Sequence, residues 1–215
     1  LTLNQTDHVL CLSKASANQL LRWQIKPEKI SVFTYWIDLS RFSQSTKTPN
    51  TTTFLFVGRL IPKKGIRLFL KLSQLFPHYK FLIVGTGPEK KRIEKFCSQS
   101  TNIRFLGFIP NKSMPSVYQK SNVLCVPSLY QEGFGRVVME ALASGLPVIS
   151  SNLGGLTEAL DSSVAILIKP TLKNFTKAVK KISQPSVYTK LKKNCRPFAL
   201  KNFSSKNLKL ITKYY

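Results

Sequence analysis

Six short apolar runs, alternating with stretches of helical spacing, fill residues 53–168, and this alternation constrains the fold more than any other feature of the chain. The runs are Thr53-Phe54-Leu55-Phe56-Val57-Gly58, Lys80-Phe81-Leu82-Ile83-Val84-Gly85, Asn102-Ile103-Arg104-Phe105-Leu106-Gly107, Val123-Leu124-Cys125-Val126, Leu146-Pro147-Val148-Ile149-Ser150 and Val164-Ala165-Ile166-Leu167-Ile168. Most are apolar at successive positions, as strands buried on both faces are. Strands separated by helices are joined by crossovers, so the pattern predicts an α/β fold on a doubly wound parallel sheet. Helices are expected over 66–76, stopped by Pro77, from Thr86-Gly87-Pro88-Glu89 to about residue 99, around Tyr118, and over 136–144.

The flanks are less regular. Residues 7–13 read as a strand, 14–23 as a helix capped by Ser13, and 27–33 as a second strand. A Ser/Thr-rich tract over 43–53, with Pro49 and no periodicity, reads as a linker. The tail from Lys173 to the end reads as helical and basic, interrupted at Pro185 and Pro197.

Candidate chemistry concentrates in residues 130–150. Glu140 falls in a helix apolar on nearly every side, where an unpaired carboxylate would be costly, so it needs a hydrogen-bonding partner or a ligand. Glu132 lies eight positions earlier, ahead of Gly133-Phe134-Gly135. The glycines allow a close backbone approach, and the helix that follows directs free N–H groups and a positive dipole end toward the same place. Together they suit a polyhydroxylated, anionic ligand. The plainer alternative is a salt-bridged structural Glu beside a glycine-rich turn. Gly58-Arg59 and Lys64-Gly65 put two cations at the carboxyl end of a strand, where open α/β sheets bind ligands, although a basic loop alone is more often merely solvated. Gly85-Thr86-Gly87 is a phosphate-binding candidate and equally a tight turn.

The Glu-x7-Glu pair enclosing Gly-Phe-Gly resembles the donor-site signature of the retaining GT-B glycosyltransferases of family 4. Gly58-Arg59 with Lys64-Gly65, Gly85-x-Gly87-Pro88, Phe105-Leu106-Gly107 and Pro127-Ser128 occur in the order that the family shows. In the amino-terminal segment, Ser13-Lys14 and Tyr35-Trp36-Ile37-Asp38 depart from the usual Ser-Glu and Asn-Gly-Val-Asp. The resemblance implies the Rossmann-like, carboxyl-terminal half of a GT-B enzyme. Residues 1–42 would be a remnant of the acceptor-side domain, 43–53 the linker, 54–197 the nucleotide-sugar domain and 198–215 a helix returning to the first domain. Such a chain would be a fragment, able to bind donor but inactive alone.

By the same resemblance Arg59 and Lys64, with Gly58, face the donor diphosphate. Glu132, Phe134 and Gly135 hold the transferred sugar, Glu140 the ribose, and Ile109 borders the base. The segment Gly154-Gly155 through Glu158 lies beside the diphosphate, with Glu158 capping the next helix. The implied reaction moves a hexose-type sugar from a UDP- or GDP-sugar to an acceptor with retention. It needs neither metal nor cofactor, and Arg59, Lys64 and Glu132 are the catalytic candidates. A nucleotide-sugar epimerase or hydrolase on the same fold is the first alternative.

Charge and cysteines set the remaining expectations. The formal net charge is +24, yet residues 111–160 hold three basic and three acidic residues, while 161–215 hold thirteen basic and one acidic. That excess suits an anionic membrane surface and a lipid-linked or otherwise membrane-bound acceptor, or simply a solvated face. A nucleic-acid-binding module fits the charge but lacks any aromatic-basic repeat, so no nucleic-acid partner is expected. Cys11, Cys97, Cys125 and Cys195 form no C-x-x-C pair and read as reduced thiols of a cytoplasmic protein, peripheral to the membrane. His8 and His78 lack partners at metal spacing, and there is no Asp-x-Asp. No apolar run approaches the ~20 residues that span a bilayer. The first residues lack an initiator Met and a signal-peptide pattern, so the chain is expected to begin within a longer protein.

Overall fold

The computed structural model describes residues 5–44 and 51–210. Residues 45–50 of the expected linker and 211–215 of the expected terminal helix lie outside them. The chain opens with β1 (Val9–Cys11), α1 (Lys14–Arg22) and β2 (Ile30–Val32), and the two strands pair in parallel. Ser13 caps α1 as its sequence position suggests, its hydroxyl accepting from the Ser16 N–H at 3.1 Å.

The main layer is built from β3 (Thr53–Val57), α2 (Ile66–Leu75), β4 (Lys80–Val84), α3 (Lys90–Ser98), β5 (Ile103–Phe105), α4 (Met114–Gln119), β6 (Val123–Val126), α5 (Arg136–Ala143), β7 (Val148–Ser151), α6 (Leu156–Ala159) and β8 (Ala165–Ile168). Two helices, α7 (Leu172–Ile182) and α8 (Pro185–Asn202), complete it. All six strands are parallel, in the order β5-β4-β3-β6-β7-β8. The chain steps outward from β3 to β5, returns to β6 beside β3, and steps the other way. The reversal leaves a crevice between the carboxyl ends of β3 and β6, the switch point where such sheets bind ligands.

Successive strand residues face opposite sides, and the sheet separates two cores accordingly. Phe54, Phe56, Phe81 and Ile83 pack against α2, α3 and α7, with the Phe54 and Phe81 rings stacked at 5.3 Å. Leu55, Val84 and Leu124 pack against α4, α5 and α8. Helix α5 buries six of its eight residues, the burial expected of a helix apolar on nearly all sides. Helix α7 buries Phe175, Ala178, Val179 and Ile182 and turns Lys173, Lys177, Lys180 and Lys181 outward, an ordinary amphipathic pattern.

One expectation for the tail is corrected. Pro185 opens α8 at its first turn, where the missing N–H costs nothing, but Pro197 lies inside the helix without ending it. Cys195 and Ala199 on either side are fully buried, and that packing carries the helix across the proline. The amino-terminal segment is fastened to the rest by apolar packing, with Ile37 and Phe42 buried in the main core and Leu12, Tyr35 and Leu39 against it, and by polar contacts. The Lys14 and Ala15 N–H groups donate to Glu158 at 2.7 and 2.9 Å, Ile37 N–H donates to the Phe203 carbonyl, and Arg196 donates to the Phe42 and Ala143 carbonyls. All four cysteines are free, and among the described residues no helix is long and apolar enough to cross a membrane.

Candidate functional site

A pocket of about 340 Å³ occupies the crevice at the switch point. Its position follows from two loops pressed together backbone to backbone. Gly65, after β3, has φ +73°, and a Cβ there would lie 1.8 Å from the Pro127 carbonyl oxygen, so only glycine fits. Leu129 N–H donates to the Lys63 carbonyl at 2.7 Å. This approach sets Lys64 against Glu132, with both carboxylate oxygens accepting from Nζ, at 2.6 and 2.7 Å. The fully buried Ser128 hydroxyl donates to the same carboxylate, and the Lys64 ammonium lies 5.3 Å from the centre of the Tyr130 ring. Glu132 is thus nearly buried but fully partnered, which removes most of the cost of desolvating it.

Arg59 lines the same pocket from the start of the loop that carries Lys64. It is exposed, and its side chain makes no hydrogen bond or ion pair among the described residues. Its loop is backed by Gly85, where a Cβ would lie 1.9 Å from the Gly58 carbonyl oxygen, and by the Leu60 N–H bond to the Thr86 carbonyl at 2.8 Å. Gly85-Thr86-Gly87 therefore shapes the Arg59 loop from behind and does not line the pocket. Helix α5 begins at the same pocket, after Gly135 and without a side-chain cap, and Gly135, Arg136 and Val137 line it, so its first N–H groups are open there.

Glu140 lies beneath the site, 4% exposed. Tyr118 Oη donates to one carboxylate oxygen at 2.8 Å and Arg136 Nε to the other at 2.9 Å. Burial, and then the adjacent Glu140 charge, push the Tyr118 hydroxyl well above the ordinary tyrosine range, so it remains a donor.

Of the residues singled out in the sequence, Gly58, Arg59, Lys64, Glu132 and Gly135 line this one pocket. Three others lie elsewhere. The Phe134 side chain turns into a second cavity of about 490 Å³ between the amino-terminal segment and α8, edge-on to Phe203 at 5.9 Å. Ile109 is half-buried against the core, and Glu140 is covered by Tyr118 and Arg136. Glu158 also differs from expectation: it caps α1 across 144 residues of sequence. Sequence reasoning gave no site role to Ser128, Tyr130 or Arg136, which also line the pocket. Arg136 carried a readable signal, an Arg four residues before a Glu on one helix; Tyr130 carried none.

Known proteins share both the sequence pattern and the fold. Residues 40–201 match the family described as glycosyl transferases group 1. The chain is 30% identical over 189 residues to a component of human phosphatidylinositol N-acetylglucosaminyltransferase, covering 84% of this chain and 39% of that protein. It is 36% identical over 113 residues to the phosphatidyl-myo-inositol mannosyltransferase of Mycolicibacterium smegmatis, covering 50% of this chain and 29% of that one. Among solved structures it superposes on sucrose-phosphate synthase from Thermosynechococcus elongatus with a TM-score of 0.88 at 26% identity, over 99% of this chain and 58% of the other. HepE of Anabaena, solved with UDP and glucose, shares the fold at a TM-score of 0.86 and 20% identity, over 97% of this chain and 62% of the other. The chain spans about two fifths of the length of the curated relatives it matches first.

Proposed function

Because the chain belongs to the glycosyl transferases group 1 family, we propose that its pocket holds the nucleotide-sugar donor of a hexosyl transfer proceeding with retention. The observation that carries this reading is the convergence of an unpaired Arg59, Lys64 and the open start of α5 on one crevice at the switch point. Breaking the bond between sugar and phosphate leaves charge on the departing diphosphate. Cations and helix N–H groups already aimed at it lower that barrier without reorganising. In this reading Arg59 and Lys64, with the backbone at Gly58, take the diphosphate and do the work a metal would otherwise do. Glu132 and the backbone at Phe134 and Gly135 take the sugar hydroxyls and Ile109 the edge of the base, whereas Glu140, to which the resemblance gives the ribose, has both oxygens engaged by Tyr118 and Arg136. Lys64 and Glu132 bind each other in the free pocket, so the donor takes over partners that are already in place.

The acceptor is proposed to be lipid-linked, at a membrane surface. Two relatives carry a phosphatidylinositol in their names, and the lysines that α7 turns outward form a basic face suited to anionic head groups. The test is calorimetric titration of UDP-, GDP- and ADP-sugars into the chain and into its Arg59→Ala variant. One donor should bind the parent chain, and the variant should bind it about ten-fold more weakly or worse, as expected for loss of a charge-assisted hydrogen bond. Failure of every donor to bind, or equal affinity in a folded variant, overturns the reading.

A further inference from the structure

We propose that Arg136 is a third cation of this pocket, braced from behind by Glu140 and Tyr118 so that its guanidinium meets the donor diphosphate. The inference rests on the donor-site reading above.

Arg136 is the first residue of α5, beside the open N–H groups, and lines the same pocket as Arg59 and Lys64. Its side chain is half exposed, and only Nε is engaged, by Glu140 at 2.9 Å. A guanidinium has five N–H donors in a fixed fork, so both terminal nitrogens remain available when Nε is taken. Glu140 cannot swing away to follow another partner, because Tyr118, fully buried on α4, holds its other oxygen at 2.8 Å. The direction of the guanidinium is therefore set from within the core.

The two glutamates of the Glu-x7-Glu pair thus play parallel parts. Ser128 braces Glu132, which holds Lys64, and Tyr118 braces Glu140, which holds Arg136. A purely structural ion pair would explain the Arg136–Glu140 bond, but not why its cation lines the pocket that already contains Arg59 and Lys64. Like charges gathered in one crevice repel until an anion arrives. Of the three, Lys64 is fully matched by Glu132, which leaves Arg59 and the free end of Arg136 facing the pocket.

The experiment takes whichever of UDP, GDP and ADP binds the chain tightest and compares it with its parent nucleoside, which lacks phosphate. Arg136→Ala and Arg136→Gln should each weaken the diphosphate about ten-fold or more and the nucleoside less than about two-fold. The Gln variant retains a donor for Glu140, which guards against misfolding. Arg136→Lys should recover little of the loss, since one ammonium cannot hold Glu140 and a phosphate in a fixed fork. Tyr118→Phe should give a smaller loss with the same phosphate dependence, a readout that a merely structural hydroxyl would not move. Equal effects on diphosphate and nucleoside, or no effect in folded variants, overturn the role given to Arg136 while leaving the donor site standing. A parent chain that binds no nucleoside diphosphate overturns both.

Discussion

The six-stranded layer and the amino-terminal β1–α1–β2 segment follow the same local pattern, parallel strands joined through a helix, yet they are held together differently. In the layer, β3 has a strand on each side and helices on both faces, and Phe54, Leu55 and Phe56 are all but inaccessible. In the segment, two strands of three residues share one helix, and the buried cluster is Cys11, Ala17, Leu20 and Ile25. Val9, Leu10, Leu12, Ile30 and Phe33 are half-buried, and Val32 and Trp23 are exposed. Where the sheet is closed on both faces, burial alone fixes the strands, and their loops are free to serve a site. Where it is open, placement falls to the Glu158 contacts at the start of α1 and to residues just outside the small cluster, Leu12, Tyr35, Ile37, Leu39 and Phe42, which pack on the main core.

The largest expected effect tests that contrast in the core. Phe81→Ala removes a fully buried ring packed against Phe54 and Phe69 and should destabilise the layer by about 3–5 kcal/mol in denaturant unfolding. Leu20→Ala, in the small cluster, should cost about 2 kcal/mol, at the low end for buried leucines, because the cavity opens toward solvent. Equal costs would mean the segment is as well closed as the layer. A smaller effect isolates the polar fastening. Glu158→Gln removes the negative charge from the start of α1 and should cost about 0.3–1 kcal/mol. Amide exchange should quicken in β1, α1 and β2 and stay unchanged in β3 to β8; uniform acceleration would break the distinction.

The smallest effect belongs to a surface pair of the closed layer. Arg67, which hydrogen-bonds Glu89 through two nitrogens, holds that carboxyl below its ordinary value of 4.5. A depressed carboxylate contributes stability above the unfolded-state pKa, and that contribution is lost as pH falls through the folded value. Arg67→Ala should therefore lower stability slightly near neutrality and leave it unchanged in strong acid. A comparable loss at both ends of the pH range would show that the arginine acts by packing instead.

Much of the layer was legible in the sequence because strands buried on both faces cannot hide their apolar runs. The gathering of Arg59, Lys64 and Glu132 was legible for a related reason, since each follows the carboxyl end of a strand that lies beside the switch point. What escaped depended on partners distant in sequence. The Phe134 ring packs edge-on to Phe203, and the continuity of α8 through Pro197 goes with the burial of Cys195 and Ala199. Glu140 was legible as a carboxylate in need of partners, but nothing local marked Tyr118, twenty-two residues earlier, as one of them.

The cap that Glu158 places on α1 also has a consequence in time. Lys14 and Glu158 are 144 residues apart, and a ribosome adding 5–20 residues per second takes roughly 7–30 seconds to supply the second after the first. Helix formation and strand pairing within β1–α1–β2 are complete in far less than a second. The Lys14 and Ala15 N–H groups at the start of α1 must therefore wait for a carboxylate delivered by a helix made much later. During that interval the start of α1 lacks its distant partner, so slower translation between residues 33 and 158 should lengthen the delay.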